Sequence, residues 1–157
     1  MQEPRGFTLI EIALSIFILL LLLVLAVPSF SGVLANRRLK RSLDDFNNIV
    51  REAQERSVAE RRPYLIVWNK NNVIVRPETL AENEEAMTRG EFRPGRGNTL
   101  SLSLPVALAK KYPSEWIFWP SGTCEPATVR FNGSAGSWIA NYSPLTARPE
   151  ITGYAVR

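Results

Sequence analysis

The sequence of 157 residues has no histidine and a single cysteine, Cys124. One cysteine cannot form a disulfide within the chain, so the fold must be held by its core. The usual zinc and dithiol redox sites need several cysteines or histidines, so we expect no such site. A serine hydrolase that uses a histidine base is excluded as well.

Neither basic nor acidic residues form long runs in the sequence. The net charge is +4, with nine basic and seven acidic residues up to Arg62 and ten and eight after it. Nucleic-acid binders usually concentrate basic residues on one face, and this balance does not demand such a face. The length and the 45% apolar content fit one modest domain with an appendage.

The appendage is an apolar segment at the start of the chain. Phe7 to Val27 spans 21 residues, of which Ile16–Val27 is uninterrupted. A helix of that length covers about 30 Å, the thickness of a bilayer's hydrocarbon core. Glu11 stands inside this segment, where a carboxylate costs about 2.5–3.5 kcal/mol even on the mildest scale. A residue that costs this much free energy in a membrane indicates a function.

Two ordinary interpretations fit this segment poorly. A secretory signal peptide would have a basic start and a small-residue cleavage site, but Glu3 offsets Arg5 and no such site follows Val27. A plain signal anchor leaves Glu11 unexplained. It would also keep the basic group Arg37–Arg41 on the cytoplasmic side by the positive-inside rule.

The run Gly6-Phe7-Thr8-Leu9-Ile10-Glu11 resembles the leader motif of type IV pilin-like proteins. The resemblance implies that a prepilin peptidase cuts between Gly6 and Phe7 and that Phe7 becomes N-methylated. Glu11 is then the fifth residue of the mature chain, as in that family. Pro28 falls where pilins commonly carry a helix-kinking proline.

The same resemblance implies a role for Glu11 and a set of partners. Glu11 would pair with the N-terminus of a neighbouring subunit and so select the axial register; the alternative is a side chain that only snorkels to the interface. The implied partners are the prepilin peptidase, other pilins or pseudopilins in a hetero-oligomeric fibre, and inner-membrane lipid. Arg37, Arg38, Lys40 and Arg41 would contact outer headgroups or form a solvated helix face.

A second helical pattern continues beyond the apolar segment. Apolar residues recur at helical spacing and form an amphipathic stripe: Leu39, Leu43, Phe46, Val50 and Ala53. Pro63 predicts the end of the helix near Arg61-Arg62. We therefore expect a leader at 1–6, a transmembrane and assembly helix at 7–28 and an amphipathic continuation at 29–62.

Residues 63–157 are expected to form an antiparallel β-domain in the periplasm. The predicted strands alternate or carry β-branched and aromatic runs: 64–68, 73–76, 100–104, 116–119, 128–132, 138–142 and 150–156. Asn69–Asn72 predicts a hairpin turn, Pro77–Asn98 a long loop, and Val106–Tyr112 is ambiguous. The fold class is α+β, with a long N-terminal helix packed on this domain.

Two further motifs resemble the C-terminal domain of GspH and of FimT/FimU-type minor pilins. They are Trp119-Pro120-Ser121-Gly122, ahead of a core strand, and Leu145-Thr146-Ala147-Arg148, with Ala147 in place of a glycine. The resemblance implies a minor pseudopilin of type II secretion, in the bacterial inner membrane and its periplasmic pseudopilus. The missing disulfide tilts the interpretation away from a major pilin.

The alternative is a minor type IV pilin in pilus assembly, adhesion or DNA uptake. In that case the nucleic-acid contacts would be Arg148, Arg89, Arg93 and Arg96. The other interpretation is that these arginines are ordinary solvated surface residues.

We expect no enzyme, cofactor or metal site. Gly95-Arg96-Gly97 is too short for a nucleotide loop, and nothing in the sequence places Glu125 beside Glu150 as a carboxylate pair. The glutamates at 82, 84 and 85 lack the spacing of a calcium loop. Cys124 is expected to be inert.

Overall fold

The computed structural model describes residues 8–79, 90–105 and 114–157, without the side chains of residues 24–31. Within these ranges the chain forms one long helix, α1 (Leu9–Ala59), followed by eight strands. In chain order the strands are β1 (Tyr64–Trp68), β2 (Val73–Pro77), β3 (Gly90–Phe92), β4 (Thr99–Ser103), β5 (Ser114–Phe118), β6 (Ala127–Gly133), β7 (Gly136–Tyr142) and β8 (Pro149–Val156).

The second half of α1 is amphipathic, as predicted. Every member of the predicted stripe is buried: Leu39, Leu43, Phe46, Val50 and Ala53. Burying each of these side chains stabilises the fold, because apolar surface leaves water. The charged residues between them point outward, so this half of the helix has one face for the core and one for its surroundings.

The helix ends at Ala59, a little before the predicted end at Arg62. Arg61 has a φ of 51°, in the left-handed region, and turns the chain away from the helix axis. Pro63 then leads directly into β1. Proline disfavours helical geometry in the residue before it, which is why the helix cannot continue to this point.

The strands form two antiparallel four-stranded sheets. The first has the order β3-β2-β1-β5 and the second β4-β6-β7-β8. The β1–β2 hairpin has the predicted loop, closed by a hydrogen bond of 2.9 Å from the Asn69 N–H to the Asn72 carbonyl. The predicted α+β class, with a long helix on an antiparallel β-domain, is confirmed.

One prediction about the β-domain is wrong. The expected loop from Pro77 to Asn98 contains β3, which pairs with β2 and buries Phe92 under the helix. Gly90 begins this strand close to α1, where a Cβ would lie 2.6 Å from the Glu52 carboxylate, so a larger residue there would require that flexible side chain to move. A three-residue strand that begins with glycine has no alternating pattern, so the sequence carried no sign of it. Residues 80–89 lie outside the described ranges.

The second sheet is joined to the helix by three hydrogen bonds from aromatic side chains. Each joins the polar atom of an aromatic residue to a small polar residue of α1: Trp138 Nε1 to Ser42 Oγ at 3.0 Å, Tyr142 OH to Asn47 Oδ1 at 2.6 Å and Tyr154 OH to Asn36 Oδ1 at 2.7 Å. The buried indole of Trp138 and the buried phenol of Tyr142 need such partners, whereas Tyr154 is exposed. The bonds fix how the sheet lies along the helix.

Phe46 lies where the helix and both sheets meet. Its ring contacts Trp68 and Phe92 of the first sheet and Trp138 and Tyr142 of the second, with ring centroids 5.7–6.1 Å apart. Two of these contacts are edge-on, the arrangement that aromatic quadrupoles favour. One side chain of α1 therefore touches both layers of the β-domain.

Replacing Phe46 with alanine should lower the free energy of unfolding by about 3–5 kcal/mol, because a large buried ring leaves a cavity bordered by both sheets. Denaturant unfolding of the full chain in detergent, followed by tryptophan fluorescence, measures this. Asp45→Ala, on the exposed side of the same helical turn, is the matched control and should change stability by about 0.5 kcal/mol or less. Equal losses in the two variants would contradict the central position of Phe46.

Candidate functional site

The first candidate site is the start of α1, where Glu11 lies in the first turn of the helix. Its carboxylate is exposed, and so are the large apolar side chains that follow it from Ile12 to Leu23. No face of this segment is covered by the β-domain in the described ranges. Glu11 is therefore a single acidic group on an apolar cylinder, available to a partner outside the chain.

The rest of the predicted leader site has no structural description. Gly6 and Phe7 lie outside the described residues, so cleavage between them stays a prediction. Pro28 lies within α1, whose helical assignment runs from Leu9 to Ala59, but its side chain is not described. A kink at Pro28 also stays a prediction.

Among the residues that the structure describes, no helix is both long and apolar enough to cross a membrane.

The second candidate site is the turn between β5 and β6. The Gly122 N–H donates to the Trp119 carbonyl at 2.9 Å, which closes a four-residue turn with Pro120 in its second position. Gly122 has a φ of +82°, a conformation that glycine adopts without strain. This geometry gives a physical reason for the Trp-Pro-Ser-Gly motif.

Two residues of α1 hold this turn, and neither was predicted from the sequence. Gln54 Nε2 donates to the Gly122 carbonyl at 2.6 Å, and Ser57 Oγ donates to the Trp119 carbonyl at 3.1 Å. Ser57 is fully buried and lies four residues beyond Ala53, so it continues the apolar stripe. A small polar residue at a position of the apolar stripe was the one feature of the sequence that could have indicated this contact between the helix and a loop.

The third candidate site is the loop from Ser143 to Arg148. The Ala147 N–H donates to the Ser143 carbonyl at 2.8 Å, and the Ser143 N–H donates to the Arg148 carbonyl at 3.1 Å. The Cys124 N–H donates to the Pro144 carbonyl at 2.8 Å, which ties the loop to the β5–β6 connection. Leu145 is 75% exposed at the tip of this loop.

Ala147 occupies a backbone position that favours glycine. Its φ is +50° while its methyl group is buried in the core. The left-handed region is costly for a residue with a Cβ, by about 1 kcal/mol or more. The departure from glycine noted in the sequence is thus a strained position that the buried methyl group partly offsets.

The turn, the loop and α1 border one open groove of about 680 Å³. Its lining includes Arg51 and Gln54 of α1, Gly122 of the turn and Leu145 and Arg148 of the loop. The groove therefore combines two arginines, Arg51 and Arg148, with the exposed side chain of Leu145. Such a surface suits contact with another macromolecule better than capture of a small molecule.

The arginines proposed for nucleic acid do not lie together. Arg96 comes three residues before β4, whose Thr99 pairs with Asn132 at the β6–β7 hairpin. Arg148 precedes Pro149, which pairs with Tyr142 at the other end of β7. The seven residues of β7 separate these ends by roughly 20 Å.

Arg93 and Arg89 add little to a basic patch. Arg93 Nε lies 2.6 Å from Glu91 Oε1, so its charge is compensated locally. Hydrogen bonds from Arg93 and Asn72 hold the pKa of Glu91 below its usual value, so this carboxylate is ionised at neutral pH. Arg89 lies outside the described residues.

The remaining candidate residues lie in different environments. Glu125 is buried, whereas Glu150 is exposed on the edge strand β8. Cys124 is buried, and burial raises the pKa of its thiol to about 12. The thiolate is the reactive form, so the Cys124 side chain is unreactive at neutral pH.

Comparison with known proteins shows the fold but no close relative. No protein-family model and no curated protein sequence matches this chain. The type IV minor pilin FimU of Pseudomonas aeruginosa matches in one crystal form with a TM-score of 0.52 and 17% identity, over 75% of this chain and 90% of FimU. A second crystal form of FimU gives 0.51 and 16%, over 73% and 93%.

The minor pseudopilin EpsH from the Type 2 Secretion System of Vibrio cholerae is similar to the same extent. Its TM-score is 0.51 with 13% identity, over 73% of this chain and 96% of EpsH. This chain therefore has the pilin-like fold that FimU and EpsH share. The fold predicted from the resemblance is confirmed.

Substitutions at Ala147 should separate backbone strain from packing. Ala147→Val should lower the free energy of unfolding by about 2 kcal/mol or more, since a β-branched residue is strongly disfavoured at this φ and adds two methyl groups at a buried position. Ala147→Gly relieves strain but loses a buried methyl group, so we expect a change within about 1 kcal/mol. Thermal unfolding of both variants tests this, and a valine variant as stable as the glycine variant would refute the strain.

Proposed function

We propose that this chain is a minor subunit of a pilin-type filament. The start of α1 anchors it in the bacterial inner membrane and joins the filament, while the β-domain faces the periplasm. The observation that carries this proposal is the division of α1. Its first part exposes apolar side chains and one carboxylate, and its second part is buried against two sheets in the fold of FimU and EpsH.

The proposed mechanism begins with removal of the leader after Gly6. The new N-terminus at Phe7 carries a positive charge, one helical turn from Glu11. An unpaired carboxylate in an apolar environment is costly, and a partner of opposite charge removes much of that cost. Pairing of Glu11 with the N-terminus of a neighbouring subunit therefore favours one axial position over all others.

The filament we favour is the pseudopilus of type II secretion, which exports proteins. The likeness to EpsH supports it. The single cysteine rules out the disulfide common in major pilins, and it suits a minor pseudopilin and a minor pilin equally. In this role the chain is a structural subunit and the substrate of the prepilin peptidase. We propose no catalytic activity for it.

A type IV pilus is the second candidate, favoured by the likeness to FimU. Genes beside this one that encode a secretin, a secretion ATPase and other pseudopilins would support the pseudopilus. Genes for a major pilin and a retraction motor would support the pilus instead.

Substitutions in the leader and in α1 test assembly. Gly6→Leu should block leader removal in cells that contain the peptidase, because the bulky side chain obstructs the cleaved bond, and the chain should keep its full mass. Glu11→Ala should be processed normally but should enter filaments at least tenfold less. Mass spectrometry of the chain and immunoblots of sheared filaments give the two readouts.

Two results would contradict this proposal. Normal mature mass for Gly6→Leu would refute the leader motif. Unchanged incorporation of Glu11→Ala into filaments would refute the pairing of Glu11. The remaining interpretation would be that its side chain only snorkels to the membrane interface.

DNA binding tests the pilus alternative. A DNA-uptake subunit should bind double-stranded DNA with an affinity that falls steeply between about 50 and 200 mM salt. Arg148→Gln should weaken that binding, while Glu150→Gln on the adjacent strand serves as a control that removes an acidic group. Absence of binding at low salt would exclude the DNA-uptake role.

A further inference from the structure

One end of the β-domain lies close to the exposed apolar part of α1. The strand β7 begins there, because a Cβ on Gly136 would lie 3.0 Å from Leu39 Cδ2. It ends farther along the helix, where Tyr142 OH donates to Asn47 Oδ1 at 2.6 Å. β7 therefore runs along α1 away from the apolar part, and the β6–β7 hairpin lies at the end of the domain nearest to it.

Two further loops lie at this end of the domain, and each carries an exposed cation. The Ser134 N–H in the β6–β7 hairpin donates to Asn98 Oδ1 at 3.3 Å. The Asn98 N–H donates to the Gly95 carbonyl at 3.0 Å and closes a turn that contains Arg96. Lys70, in the β1–β2 loop, borders the same open cleft of about 400 Å³ as Arg96. Both side chains are exposed.

The helix adds four exposed cations at the level of these loops. At about 100° per residue they cover roughly 160° of the helix surface, on the side opposite the buried Leu39. The loops supply their cations on the side where Leu39 packs. Cations from the helix and from the loops thus surround α1 where the apolar part ends. We call these six residues the basic collar: Arg37, Arg38, Lys40, Arg41, Lys70 and Arg96.

The basic collar is not neutralised by ion pairs. None of the ion pairs among the described residues involves one of its members. At the opposite end of the domain, by contrast, Arg56 pairs with Glu52 and Arg62 pairs with Glu60. The isolated subunit therefore gains no ion pair from the collar, which points to an anionic partner outside it.

The carboxylates described at this end oppose the collar only weakly. Asp44 and Asp45 lie on the next turn of α1, farther from the apolar part than the helix cations. Glu91 is already bound by Arg93 and Asn72. The collar is therefore the first charged layer that follows the exposed apolar side chains.

The apolar side chains lead directly into the collar. Val33 and Leu34 are about half exposed, at 50% and 52%. Arg37 follows Leu34 by three residues, about 4.5 Å along the helix. The headgroup layer of a bilayer is about 5–7 Å thick on each side of the hydrocarbon core. A helix held in that core by its apolar part would place the collar in this layer, within reach of long lysine and arginine side chains.

We propose that the basic collar binds anionic phospholipid headgroups on the periplasmic surface of the inner membrane, so that this end of the β-domain rests on the bilayer. The proposal rests on the filament role proposed above, because it needs α1 to be held in the membrane. Each Lys or Arg close to an anionic surface strengthens the attraction about fivefold. Lipid fits better than nucleic acid, since the collar surrounds the helix where the bilayer surface would lie and a duplex would have to compete with it.

Fluorescence quenching of the full chain in vesicles tests this contact. A label on Ser134→Cys reports on the collar end, and a label on Leu145→Cys reports on the other end of β7. Cys124 is buried, so the reagent labels only the introduced thiol. Lipids with a nitroxide on the headgroup should quench the first label strongly in vesicles that contain phosphatidylglycerol, and weakly in vesicles of phosphatidylcholine alone. The second label should be quenched weakly in both.

Salt gives a second readout of the same contact. Raising the salt concentration from about 0.1 to 1 M shortens the Debye length from about 10 to 3 Å. The difference in quenching between anionic and neutral vesicles should therefore disappear at the higher concentration.

Substitutions in the loops test the collar without changing α1. Lys70→Gln combined with Arg96→Gln should lower the ratio of docked to undocked domains on anionic vesicles by at least about tenfold. Arg130→Gln combined with Arg148→Gln is the matched control. It removes the same charge from exposed positions outside the collar and should dock like the wild type.

The outcomes separate this proposal from the filament role itself. Equal quenching of the first label in neutral and anionic vesicles, stronger quenching of the second label, or unchanged docking of the loop variant would overturn the lipid contact and leave the filament role intact. Weaker DNA binding by the loop variant with unchanged vesicle docking would assign its cations to nucleic acid instead. A full chain that vesicles do not retain during flotation would overturn the membrane anchor and both proposals with it.

Discussion

The packing of Phe46 between the two sheets is the contact on which the rest of the structure depends. The two sheets do not share a strand, and the second half of α1 is the layer against which both bury their aromatic residues. Phe46 touches rings from each sheet, while Gln54 and Ser57 hold the turn that carries the Trp-Pro-Ser-Gly motif. A displacement of the helix would therefore reach both sheets and the open groove together.

This arrangement divides the helix into a part that packs on the β-domain and a part that does not. The buried stripe ends at Leu39 on its N-terminal side. Asn36 still accepts a hydrogen bond from Tyr154, but the described side chains from Thr8 to Leu23 are all exposed, so that part of α1 can be apolar on all sides without weakening the β-domain. In the proposed filament role, assembly and folding are specified by different parts of the same helix.

Much of the fold could be predicted because its signals are periodic. The stripe of α1, the Asn-rich hairpin and the alternating strands all repeat over several residues. The strand β3 (Gly90–Phe92) could not be predicted, because three residues show no period. The roles of Gln54 and Ser57 depend on carbonyl groups 62 to 68 residues away, which no local pattern reveals. The leader motif is local as well, but cleavage after Gly6 stays a prediction because Gly6 and Phe7 lie outside the described residues.

The distance along the chain between α1 and its partners has a consequence for synthesis. Ser42 bonds Trp138 and Asn47 bonds Tyr142, pairs that are 96 and 95 residues apart. At about 5–20 residues per second, a ribosome needs roughly 5–20 s to make the intervening chain. For most of that interval neither sheet is complete, because even the first sheet needs β5, which ends at Phe118. The newly made helix must therefore avoid aggregation before the β-domain has formed. The order of translation thus places a requirement on this sequence in addition to the stability of the final fold.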